Sequence, residues 1–178
     1  DYIFGKESGT AGQEFGAYIT TAGIITFVLE DEENSSATVY VYAPAGTFKP
    51  KTWHHLTFTY DGRGTTDAKN GMSIYVDGQF IAVTKNDSGT YVGMKPDHTK
   101  PLYIGGRHTG DDETDGKIAE FAVWAVELTS GEVAAVYNGF SDLSFKPTSG
   151  PVTELPRWQI RQKDHRLGAY PTIARTGD

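Results

Sequence analysis

Trp53-His54-His55-Leu56-Thr57-Phe58-Thr59-Tyr60-Asp61-Gly62 and, a short way on, Ser73-Ile74-Tyr75-Val76-Asp77-Gly78-Gln79-Phe80-Ile81-Ala82-Val83 decide the fold. Both stretches alternate apolar and polar residues, and both reach an Asp-Gly pair. Period two is the pattern of a strand with one buried face. Asp77-Gly78 stands between two such runs, which makes it a two-residue hairpin turn. Both central positions of that turn need positive φ, which glycine adopts freely and aspartate tolerates. Strands are therefore predicted over residues 53–60 and 72–76, with residues 80–83 returning beside the second.

Outward from this hairpin the chain keeps the same character. Residues 2–6, 15–20, 23–30, 38–42, 102–104 and 117–124 read as further strands. Residues 31–36 read as a charged turn and 44–50 as a loop, and Gly105-Gly106 as a strand-end turn. One short helix is predicted near 130–138, capped by Ser130, begun by Glu132 and Val133, and ended by Gly139. Short strands spaced by turns, with almost no helix, define an all-β sandwich or barrel. After Phe140 the composition changes. Pro147, Gly150, Pro151 and Pro156 mark an extended connector, and the residues after it carry Trp158, Ile160, Leu167, Tyr170 and Ile173 among basic side chains. That density is too low for a separate core. The expected organisation is a β domain over 1–140 and a linker with a basic arm over 141–178. The arm is expected to pack on its own domain or on a neighbour, through Arg157, Trp158, Arg161, Arg166 and Tyr170.

Bulk properties narrow the function. The chain has 178 residues, enough for one domain, and no apolar run long enough to span a membrane. It has no cysteine, so neither a disulfide nor a thiolate metal site exists, which points to a microbial or viral source. Residues 1–140 hold 10 Lys and Arg against 19 Asp and Glu, whereas 141–178 hold 6 against 4. The field of the acidic domain would repel phosphates, so nucleic acid is not an expected partner.

Several residues invite a chemical reading. His54 and His55 are neighbours on a predicted strand, so their side chains point to opposite faces and do not share a site. Trp53 reads as a core or rim aromatic that sets the strand's position. Asp111, Glu113, Asp115 and Gly116 alternate like the start of a calcium loop, oxygen ligands followed by glycine at the sharp turn. Position twelve of that loop is Ala122, which excludes an EF-hand. Tyr18, Tyr40, Tyr42, Tyr91 and Tyr103 are aromatics suited to stacking on sugar rings or lining an interface. Alternation places Tyr40 and Tyr42 on one face. Tyr40, Tyr42 and Tyr103, with Arg107, are the candidate ligand-binding residues. The nucleophile-elbow and phosphate-cradle motifs are absent.

As an ordered set, Trp53-His54-His55-Leu56 with Tyr60-Asp61-Gly62, then Ile74-Tyr75-Val76-Asp77-Gly78, Leu102-Tyr103-Ile104-Gly105-Gly106, Gly116-Lys117-Ile118-Ala119-Glu120-Phe121 and Leu128-Thr129-Ser130-Gly131-Glu132-Val133 resembles the laminin-G/pentraxin-type concanavalin A-like lectin/glucanase superfamily. The resemblance covers about residues 1–140. It implies a concanavalin A-like antiparallel β-sandwich of jelly-roll type. It also implies a module that binds glycans, receptors or other proteins without catalysis, and it strengthens the expectation of Ca²⁺ at Asp111, Glu113 and Asp115. Superfamily glucanases place their carboxylates alternately along a strand. The acids Glu30-Asp31-Glu32-Glu33 run consecutively and would splay to both faces of a turn, so no catalytic residue is assigned. The resemblance further implies an aromatic strand ahead of Ile3 that this sequence does not carry, so the chain is expected to be a piece of a longer polypeptide. The leading expectation is a recognition or structural module of a larger surface assembly, such as a bacteriophage decoration, tail or fibre protein. It would be located on a virion or an extracellular surface, would bind glycan or neighbouring protein in an oligomer, and would not insert into a membrane. The competing expectation is a secreted, calcium-dependent carbohydrate-binding module, and behind it a polysaccharide hydrolase or lyase.

Overall fold

The computed structural model describes residues 1–7, 13–31, 37–94, 100–108, 110 and 112–139. The strands in chain order are β1 (Tyr2–Glu7), β2 (Gln13–Ile19), β3 (Ile25–Asp31), β4 (Ala37–Tyr42), β5 (Leu56–Tyr60), β6 (Met72–Val76), β7 (Gln79–Ile81), β8 (Thr84–Ser88) and β9 (Leu102–Ile104). A 3₁₀ helix (Thr66–Gly71) precedes β6, and α1 (Ser130–Tyr137) follows β9. All pairings are antiparallel. A six-stranded sheet in the order β8-β4-β3-β2-β1-β9 packs on a three-stranded sheet, β5-β6-β7.

The period-two pattern builds the layer between the sheets. In β4 Ala37, Val39 and Val41 are buried, while Thr38, Tyr40 and Tyr42 alternate with them on the outer face. Register carries the alternation across strands: Leu29 pairs with Val39, Phe27 with Val41, and Ala17 with Phe27. The small sheet answers with buried Met72, Ile74 and Val76 and with partly buried Leu56, Phe58 and Tyr60. Phe27 and Phe58 bridge the two layers, ring centroids 5.5 Å apart. The predicted hairpin is present, with φ of 51° at Asp77 and 76° at Gly78.

The structure departs from the sequence reading at several places. Residues 117–124 are not a strand. Ile118, Phe121 and Trp124 turn inward at a spacing of three, and Glu120 breaks the pleat at φ 57°. Asp31 is the buried last residue of β3, not part of a turn, and its carboxylate accepts the backbone N–H groups of Val92 and Gly93. Thr129, not Ser130, caps α1. Its hydroxyl accepts the N–H of Glu132, whose carboxylate reaches back to the Thr129 N–H, a capping box. Trp53 is 66% exposed, and β5 begins only at Leu56. Tyr91 is buried, so it recognises nothing at the surface. Polar β8 carries no apolar alternation to mark it; its pairing with β4 makes it a strand. The linker and arm, with Arg157, Trp158, Arg161, Arg166 and Tyr170, lie outside the described residues.

Candidate ligand-binding face

The two outer faces are finished differently. On the small sheet, Tyr75 packs with Leu128 and Val133, flanked by Trp124 and Val136, so α1 and the residues before it cover that face. The Tyr75 hydroxyl lies 3.2 Å from the Ser130 hydroxyl. The outer face of the six-stranded sheet carries no such cover among the described residues.

Pairing register sets what that open face presents. One row runs Tyr103–Gly5–Gly16–Val28–Tyr40–Asn86 across all six strands. At about 4.8 Å per strand it is about 24 Å long. A parallel row runs Tyr2–Tyr18–Thr26–Tyr42–Thr84. Tyr40 and Tyr42 stack at 6.4 Å, and Tyr2 and Tyr18 lie 5.2 Å apart. All five tyrosines are half-buried. Neighbouring Gly5 and Gly16 leave a dip between Tyr103 and Val28. The dip is needed, because a Cβ on Gly16 would stand 1.8 Å from the Gln13 side-chain nitrogen that lies across it.

A bulge brings Gln13 there. Lys6 pairs with Phe15 and Glu7 with Gln13, so Glu14 is the extra residue and the pleat inverts past it. Glu7, two residues from Gly5, lies on the same face, 2% exposed, and a second irregularity at Ile3 turns Tyr2 to that side. Arg107 meets it with Nε 3.2 Å and Nη2 3.0 Å from the carboxylate, and the His108 N–H donates to the same group at 3.0 Å. The guanidinium also lies 4.8 Å above the Tyr2 ring. Burial raises the Tyr2 phenol above its ordinary range while Arg107 pulls the other way, so the ring is neutral. Arg107 thus does a structural task that its sequence context does not announce: it neutralises a buried carboxylate and sets the end of the tyrosine row.

Of the residues singled out in the sequence, Tyr40, Tyr42, Tyr103 and Arg107 come together on this face. Tyr2, Glu7 and Gln13 were missed, because only the β1–β2 register and its bulge bring them there. The acidic loop borders the same edge. The Thr114 N–H donates to the Gly105 carbonyl at 2.9 Å, the Thr114 hydroxyl to the Tyr2 carbonyl, and Asp112 lies 3.9 Å from Arg107. Glu113 and Asp115 are exposed there. Asp111 lies outside the described residues. Among the described residues no cluster of three or more His, Asp or Glu side chains is arranged to hold a metal.

The two histidine rings go to different neighbours, although both residues precede β5. His54 packs on Phe48 and its Nδ1 lies 2.9 Å from the Asp77 carboxylate. His55 packs on Tyr137 of α1, and its backbone N–H donates to the other Asp77 oxygen at 2.9 Å. The hairpin-turn aspartate therefore pins the segment entering β5. Burial lowers the His55 pKa, against an upward pull from Asp77 and Glu120. Asp77 is lowered as well: burial pushes it up, but the hydrogen bonds from His54 and His55 and the charge of both rings outweigh that.

A laminin-G-type family model, described as the Concanavalin A-like lectin/glucanases superfamily, matches residues 1–134. The chain belongs to this superfamily. No curated protein and no solved structure matches it. Laminin-G-like domains are generally non-catalytic binding modules, and the fold here is compatible with binding carbohydrate or protein.

Proposed function

We propose that the chain is a non-catalytic recognition module that binds a glycan along the open face of its six-stranded sheet. The observation that carries this reading is the register that gathers Tyr2, Tyr18, Tyr40, Tyr42 and Tyr103 on a face uncovered among the described residues, with Thr84 beside Tyr42 and Asn86 beside Tyr40. Aromatic rings offer apolar faces to sugar C–H groups, and the polar side chains between them serve hydroxyls. The acidic charge of residues 1–140 favours neutral over anionic glycans. The carboxylates at the bulged end are engaged: Glu7 by Arg107, Glu14 by Lys6, and Glu30 by the Gln13 N–H. That arrangement supports binding over hydrolysis, which needs two carboxyls free to flank one bond. Calcium at Asp111, Glu113 and Asp115 would sit at the rim of this face and belongs to the secreted-module version of the same proposal. A place on a virion or other surface assembly rests on the basic arm.

A glycan array probed with the full chain tests the reading, followed by titration of the best neutral oligosaccharide against the Tyr40→Ala/Tyr42→Ala double variant. Binding that weakens about tenfold or more, at about 0.5–1.5 kcal/mol per stacked ring, supports it. An array without hits, or a variant that binds as the parent does, overturns it. Binding abolished by chelator supports it in its calcium-dependent form.

A further inference from the structure

We propose that the dip at Gly5 and Gly16 is a subsite for an acetyl group carried by the bound glycan, and that the Gln13 side-chain amide selects it. This inference rests on the glycan reading and names which glycans the tyrosine face takes. The floor of the dip is bare backbone on two neighbouring strands, since Gly5 pairs with Gly16 and neither has a side chain. Gln13 crosses this floor. Its Nε2 lies 1.8 Å from where a Cβ on Gly16 would stand and 3.4 Å from where one on Gly5 would. The walls are apolar. The Tyr2 ring edge comes within 3.6 Å of the Gly5 Cβ position, and Val28 is the partner of Gly16 on the other side.

Gln13 is 6% exposed, and its Nε2 has no hydrogen-bond partner among the described residues. A buried N–H without an acceptor is costly, and folded chains leave few of them. At a binding face the same donor is satisfied when a ligand brings the acceptor. The nearby carboxylates are turned elsewhere: Glu7 accepts from Arg107 and the His108 N–H, and Glu30 from the Gln13 backbone N–H. Depth selects the acceptor. A sugar hydroxyl oxygen stands one bond from the ring, whereas an acetyl carbonyl oxygen, carried on nitrogen or on oxygen, stands three bonds out and reaches further toward the floor. The acetyl methyl group then has the apolar walls of Tyr2 and Val28 to pack against. The group carries no charge, in keeping with the acidic field of residues 1–140.

Two matched pairs of oligosaccharides, titrated calorimetrically against the full chain, test the subsite. Chitotetraose and cellotetraose share one backbone and differ by acetamido against hydroxyl. O-acetylated and plain mannotetraose differ by the ester. In at least one pair the acetylated member should bind about tenfold or more tighter, and the pair that shows it assigns the acetyl group to nitrogen or to oxygen. Gln13→Met keeps the length of the side chain and removes the donor. It should cancel the preference and leave the affinity for the plain member unchanged, with the melting temperature as the control for folding. The paired ligands are compared on the parent chain, so that comparison stands whether or not the variant folds. Acetylated members that bind no tighter than plain ones in either pair overturn the inference, as does a preference that survives Gln13→Met; the glycan reading then stands on any hit of the array. An array without hits overturns both.

Discussion

The molecule has two sheets built by the same alternation and completed in opposite ways. The three-stranded sheet hides its outer face under Leu128, Val133 and Trp124. The six-stranded sheet leaves its outer face open among the described residues and dresses it with tyrosines, threonines and a buried carboxylate clamped by Arg107. A face under apolar cover contributes stability, and an open face with half-buried aromatics is available for recognition. The two should therefore respond to substitution in different ways. On the open face Arg107 should behave as a structural residue and the half-buried tyrosines as binding residues.

Arg107 carries the largest expected effect. Arg107→Ala leaves Glu7, 2% exposed, without its cation. Breaking a buried pair by removing one partner costs about 3–5 kcal/mol, with the low end favoured because Arg107 itself is partly exposed. Urea unfolding should show this loss, and a second substitution, Glu7→Gln, should restore part of it. A loss below about 1 kcal/mol would mean that Glu7 is better hydrated than its burial implies, and Arg107 would return to the list of free ligand-binding side chains.

On the covered face, Leu128→Ala should cost about 2–4 kcal/mol by cavity formation and leave glycan binding unchanged at temperatures where the variant is folded. If it weakened binding as strongly as the Tyr40→Ala/Tyr42→Ala double variant, the division of labour between the faces would fail. The tyrosine variant should instead cost little stability, since both rings are half-exposed.

What could be read from the sequence follows the same division. The strands around the inner layer were legible because one buried face imposes period two on residues such as Val39, Val41 and Ile74. The Asp77-Gly78 turn was legible because its backbone excludes most residues. Strand β8 was not, because its residues are held by pairing with β4 and not by burial. Residues 117–124 misled because Ile118, Phe121 and Val123 supply enough apolar positions for a strand, while the positive φ at Glu120 leaves no trace in composition. Tyr40 and Tyr42 could be placed together by alternation within one strand. Tyr2, Tyr18 and Tyr103 joined them only through register across four pairings, and Gln13 only through an extra residue at Glu14.

The smallest expected effect tests the clamp that joins the small sheet to α1. Asp77 has a lowered pKa in the folded chain, so it contributes stability that is full above its ordinary value near 4 and lost as pH falls through the folded value. His55 is lowered too. Its neutral form is favoured on folding, so this contribution is full above about 6.5 and fades as pH falls below that. His55 therefore predicts a domain that weakens as pH falls from 7 through the acidic range, and Asp77 adds its loss below about pH 4. Glu127, raised chiefly by burial, works in the opposite direction over the lower part of this range. Asp77→Asn keeps a residue that tolerates positive φ but removes the charge facing His54 and the His55 N–H. With the Asp77 side chain 38% exposed, the loss at pH 7 should be about 1 kcal/mol. The gap between variant and parent should close as pH drops below 4, when the parent carboxylate is itself protonated. Melting temperatures at pH 7, 5.5, 4 and 3 measure it. A gap that stays constant across that series would show that Asp77 holds the segment entering β5 by shape alone, and that its charge adds nothing to the hairpin.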